Sequence, residues 1–116
     1  MEKQILNFES GMEMMGDDPE IYREIITVFL QDQQYNQAKI EEMIAQGLEM
    51  DAGIEIHRLK GAAATIGAER LQEACAKAER ILRGKEEGDA TPYIPQITVL
   101  YQELIPELEK ALLKLQ

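Results

Sequence analysis

The run Ile56-His57-Arg58-Leu59-Lys60-Gly61-Ala62-Ala63-Ala64-Thr65-Ile66-Gly67 decides how this chain is read, because it holds the only histidine and sets it in a helical pattern. Ala52, Ile56, Leu59, Ala63 and Ile66 recur at the spacing of a helix with one buried apolar face. His57 falls on the other side, one turn before Lys60 at i+3 and Gly61 at i+4, so these three share an outward face. A glycine inside a helix costs about 1 kcal/mol relative to alanine, yet Gly61 stands among alanines. Local propensity is overruled there, as happens where function requires it.

Outward from this run, the N-terminal part opens with Asn7 to Met15, a short helix in which Phe8, Met12 and Met15 cover one end of a bundle, stopped by Gly16. Asp17-Asp18-Pro19-Glu20 then reads as an N-cap, a proline at the first helical position and acid in the first turn. The pattern Tyr22, Ile25, Ile26, Phe29, Ile40, Met43, Ile44 predicts one long helix over 19–46, polar all round from Gln31 to Gln34, with Gly47 as its C-cap. Asp51 is the expected N-cap of the His57 helix, 51–66, and Gly67 its end.

A helix over 69–83 buries Leu71, Ala74, Cys75, Ala78 and Leu82 and stops at Gly84; residues 85–90 form a charged loop. Thr91-Pro92 opens the last helix, 92–115, striped with Ile94, Ile97, Tyr101, Leu104, Leu108, Ala111, Leu112 and Leu115 and expected to kink near Pro106. The fold expected is all-α: an antiparallel four-helix bundle with an additional short N-terminal helix, spanning residues 1–116 as a single domain.

Composition excludes several classes of function. A formal charge of −10, from 22 acidic against 12 basic residues, repels phosphate backbones, so nucleic acid is not an expected partner. No apolar run suits a membrane span, and no secretory leader is evident, so a cytoplasmic monomer is expected. The lone Cys75 reads as a small buried hydrophobe. One histidine, one cysteine and scattered carboxylates give no metal-ligand spacing, and no glycine-rich phosphate loop or Ser/His/Asp set suggests an active site; neither metal nor cofactor is expected.

From His57 to Ala68 the chain reads His-x-Leu-Lys-Gly-Ala-Ala-Ala-x-Ile-Gly-Ala, which resembles the signature of histidine-containing phosphotransfer (HPt) domains of two-component phosphorelays. The resemblance extends loosely over nearly the whole chain. It implies a helical domain with a phosphorylatable histidine on its second long helix, no ATP site of its own, and magnesium held, if anywhere, by a partner's acidic pocket. It implies as partners the receiver domains of response regulators and hybrid histidine kinases. It also implies a polar side chain of the following helix against the imidazole. Glu79 matches that position best, with an ordinary solvated glutamate as the competing reading; Glu73 lies on the same helix.

The residues support that chemistry independently. Neutral imidazole is a nucleophile near neutral pH and can attack an acyl phosphate, giving a phosphoramidate reactive enough to pass its phosphoryl group on. Lys60 is placed to offset charge on the phosphoryl oxygens. Gly61 lets another protein's backbone come close, and Ala64, two turns on from His57, keeps that docking face flat. Arg58, about 100° round the helix, reads as surface. The expected function is a histidine phosphocarrier that takes a phosphoryl group on His57 from a receiver aspartyl phosphate and gives it to another aspartate. Two alternatives are a docking module that carries no phosphate and the substrate domain of a chemotaxis-type histidine kinase, which requires an ATP-binding domain beyond Gln116.

Overall fold

Side-chain caps set where the first three helices begin, and a computed structural model describes residues 3–32 and 35–116. Among these, six helices and no strand are present: α1 (Phe8–Met14), α2 (Pro19–Asp32), α3 (Gln37–Ala45), α4 (Glu49–Ile66), α5 (Glu69–Leu82) and α6 (Tyr93–Lys114). Asn7 caps α1 by accepting from the Ser10 amide at 3.0 Å. Asp18 caps α2 by accepting from the amides of Glu20 at 3.0 Å and Ile21 at 3.3 Å, with Pro19 in the first turn, where its missing N–H is harmless.

The helix expected over 19–46 is two helices. α2 ends at Asp32, and α3 starts afresh behind Asn36, whose extended backbone (φ −137°, ψ 107°) and side chain, accepting from the Lys39 amide at 3.2 Å, form an N-cap. An asparagine whose side chain bonds the backbone amide three residues on competes with helix continuation, which explains the break. The start of α3 is tied to α6: the Tyr35 hydroxyl lies 2.8 Å from Thr98 Oγ1, which donates to Gln37 Oε1 at 2.6 Å. Gln33 and Gln34, half of the polar stretch noted above, lie outside the described residues.

A second boundary also differs. The His57 helix begins at Glu49, not Asp51; Leu48 occupies the cap position without a side-chain bond, and Asp51 joins Glu49 as acid in the first turn. Acid there is favoured by the unpaired amides and the helix dipole. α6 passes through Pro106 as one continuous helix.

α4 is the hub. It packs against α1, α2, α3 and α5, and α6 in turn packs against α2, α3 and α5. Ala52, Ile56, Leu59, Ala63 and Ile66 of α4 are all buried, with Tyr22, Ile26, Leu71, Cys75, Ile94, Ile97, Leu104 and Leu108 from the surrounding helices. The buried Tyr22 hydroxyl is satisfied by the Ile66 carbonyl at 2.7 Å.

Between α4 and α5 the chain reverses in two residues. Gly67 adopts φ +88°, the left-handed conformation that glycine takes without strain, and its carbonyl accepts from the Asn7 amide at 2.8 Å. A Cβ on Gly67 would lie 2.4 Å from the Asn7 carbonyl oxygen, so both space and φ demand glycine. The reversal makes α4 and α5 an antiparallel pair: Gly53 faces Leu82 and Arg83, and His57 faces Glu79. This register builds the site.

Candidate functional site

His57 stands on the solvent side of α4 with its side chain 58% exposed, as its position opposite the apolar stripe requires. Its Nδ1 lies 2.9 Å from Oε2 of Glu79. Glu79 is not a solvated glutamate; it is 6% exposed and is the only buried charged residue among the described residues. Lys60 Nζ lies 2.7 Å from Glu79 Oε1, and Arg83 Nη1 donates to Glu79 Oε2 at 3.0 Å. The Lys60 contact is a close ion pair. One buried carboxylate therefore holds two cations and an imidazole.

The electrostatics of Glu79 follow from that count. Burial alone pushes its carboxyl up, but Lys60, Arg83 and His57 more than offset this and bring it from 4.5 down to about 2. At neutral pH Glu79 is thus an anion that can only accept. The proton in the His57–Glu79 bond must then sit on Nδ1, which leaves the lone pair of the neutral ring on Nε2, the nitrogen turned away from Glu79.

Of the residues singled out in the sequence, the structure brings His57, Lys60 and Glu79 together. Lys60, expected to face incoming phosphoryl oxygens, is instead engaged with Glu79. Gly61 is exposed, and a Cβ built on it meets nothing within 4 Å. No helix packs there, so close helix packing does not account for the glycine. Ala64 is half-buried further along the same helix. Arg58 is exposed and pairs with Glu55 at 3.4 Å.

Two residues were missed. Arg83 holds Glu79 from one turn along α5, a Glu-to-Arg spacing of i,i+4 that stabilises helices and was visible in the sequence. Gly53 gives the Arg83 stem its room: a Cβ there would lie 3.0 Å from Arg83 Cγ. Only the α4–α5 register reveals that contact.

The surroundings are charged and partly apolar. A groove beside His57 is lined by Tyr35, Lys39, Glu55, Arg58 and Gly61, with Lys39 Nζ 3.8 Å from Glu55. Four cations lie near His57, with Lys39 and Arg58 paired with Glu55 and Lys60 and Arg83 paired with Glu79. Met50 and Ile54, 55% and 48% exposed, precede His57 on the same face of α4. Cys75 is fully buried, which pushes its thiol up to about 12 and keeps it protonated. Among the described residues no cluster of three His, Cys, Asp or Glu side chains could hold a metal ion, and no helix is long and apolar enough to cross a membrane.

A family model described as Hpt domain matches residues 24–115 of the chain. No curated relative and no solved structure matches it.

Proposed function

The chain belongs to the Hpt domain family, the phosphotransfer modules of two-component signalling, and we propose that His57 is its phosphorylated residue, relaying a phosphoryl group between receiver aspartates. The observation that carries this reading is the bond from His57 Nδ1 to the buried, ionised Glu79, which directs the ring's lone pair outward on Nε2. The nucleophile is thereby oriented before any partner arrives.

In the forward step, the Nε2 lone pair attacks the phosphorus of an aspartyl phosphate. The N–P bond forms, the bond from phosphorus to the aspartyl oxygen breaks, and the carboxylate leaves with the electron pair. No proton moves. The ring keeps its Nδ1 proton, becomes a phosphoimidazolium, and is stabilised as a cation by Glu79. Attack by a second carboxylate on the same phosphorus reverses the bonds and restores neutral imidazole. The chain itself supplies no ATP chemistry in this account; magnesium belongs to the receiver.

The exposed face around His57 suits such a partner. Gly61 leaves open space beside the imidazole, and Lys39 and Arg58, both paired with Glu55, line the groove next to it and can exchange that partner for a carboxylate of an incoming protein. Met50, Ile54 and the half-buried Ala64 extend that face along α4. We place this activity in the cytoplasm and assign it to the monomer, with response regulators and hybrid kinases as receivers. The test is incubation with a phosphorylated receiver. Acid-labile, alkali-stable label on the chain is expected, and label absent from wild type or present in His57→Gln overturns the proposal.

A further inference from the structure

Phosphorylating His57 changes the charges around Glu79 in a way the resting geometry anticipates. Before transfer, the buried carboxylate faces two cations, Lys60 at 2.7 Å and Arg83 at 3.0 Å, and the His57 imidazole at 2.9 Å, which reacts as a nucleophile only in its neutral form. After transfer, the imidazole is a cation, and a phosphoryl dianion has appeared on its outer nitrogen. Glu79 now has a cation to spare, and the phosphoryl group lacks one. Of the two candidates, Lys60 is on the same helix as His57, one turn away, and it holds Oε1, the oxygen of Glu79 that does not face the imidazole. Arg83 donates to Oε2, and its stem lies against Gly53.

We infer that Lys60 is a transferable cation, released from Glu79 to the phosphoryl group as His57 is phosphorylated, and that Arg83 is the positioning residue that makes the release possible by remaining on Glu79. This rests on the phosphocarrier reading of His57. The physical reason is that stripping a buried carboxylate of its cations is expensive, whereas exchanging one cation for another is not. With Arg83 and the phosphoimidazolium on Oε2, Glu79 keeps two positive neighbours throughout. A lysine suits the moving part, being a compact charge on a flexible stem, and arginine suits the fixed part.

The experiment uses phosphoramidate, a small donor that needs no docking. Its P–N bond breaks as the bond to Nε2 forms, and ammonia leaves with the electron pair. Labelling rates are measured for wild type, Lys60→Ala, Arg83→Gln, Arg83→Lys and the Lys60→Ala/Arg83→Gln double variant, with circular dichroism of each. Lys60→Ala should slow labelling up to about tenfold, given an exposed site. Arg83→Gln should slow it comparably, because Lys60 is then retained by Glu79, and Arg83→Lys should restore much of the rate. The double variant should be no slower than Lys60→Ala alone, since Arg83 acts only through Lys60.

Multiplying losses in the double variant would overturn the inference, because Arg83 would then act independently of Lys60. Ammonium NMR of the wild-type chain gives a reading that needs no variant. The Lys60 signal should shift on phosphorylation, and an unchanged signal in fully labelled protein overturns the release. Failure of phosphoramidate to label wild-type His57 at all would instead overturn the phosphocarrier reading, and the release with it.

Discussion

Replacing Glu79 by glutamine should destabilise the protein by an amount that depends on pH in a defined way. The carboxyl is held at about 2 against an ordinary value of 4.5. A depressed acid contributes stability that is fully present above its unfolded value and is lost as pH falls through its folded value. At 1.36 kcal/mol per tenfold in proton affinity, that contribution is about 3 kcal/mol at pH 7, and most of it is gone by about pH 2. Glutamine is close in shape to the protonated acid, so wild type and Glu79→Gln should converge at low pH although both weaken. The assay is urea unfolding followed by far-ultraviolet circular dichroism at intervals from pH 7 to pH 2.5, comparing the two proteins at each pH. A difference that stays constant across pH 4.5 to 2.5, or that is absent at pH 7, would refute the claim that Lys60, Arg83 and His57 hold Glu79 as a buried anion.

Other perturbations separate stability from transfer. Gly61→Ala should raise stability by up to about 1 kcal/mol, since the added methyl meets nothing within 4 Å; transfer from a phosphorylated receiver should slow, and Gly61→Gln should slow it far more while leaving phosphoramidate labelling intact. A drop of several degrees in Tm for Gly61→Ala would contradict the docking role. Gly67→Ala should cost at least about 2 kcal/mol in a urea titration, because it combines a left-handed φ of +88° with a Cβ 2.4 Å from the Asn7 carbonyl oxygen. Asn36→Ala should cost about 1 kcal/mol through loss of the α3 cap, measured in the same way.

Sequence periodicity located the helices because apolar spacing reports which face is buried, and the stripe on α4 is buried as that spacing predicts. It did not detect the break between α2 and α3. Ile40, Met43 and Ile44 stay in helical register with Tyr22 to Phe29, and no glycine or proline intervenes; the signal was Asn36, a capping residue three positions before Lys39. The start of α4 was misplaced because Leu48 is a cap without a side-chain bond, while Asp51 looks like a cap and is not one.

At the site, His57, Lys60 and Gly61 were legible because they lie on one helix, where spacing alone fixes a shared face. Glu79 came from family resemblance, and its burial could not be read from α5, whose amphipathic pattern does not by itself assign a glutamate beside Ala78 to the interior. That depends on the register across the Gly67 turn. Arg83 and Gly53 depend on the same register, so the three-way clamp on Glu79 becomes visible only once α4 and α5 are paired.

In the proposed reaction Nε2 of His57 receives the phosphoryl group because Glu79 holds the proton on Nδ1. The most direct measurement is nitrogen-15 NMR of the single histidine before and after labelling with phosphoramidate. The expected spectra show a neutral ring protonated on Nδ1 in the resting protein and a phosphorus coupling to Nε2 after labelling, with neither label nor coupling in His57→Gln. A resting ring protonated on Nε2, or phosphorus found on Nδ1, would contradict it.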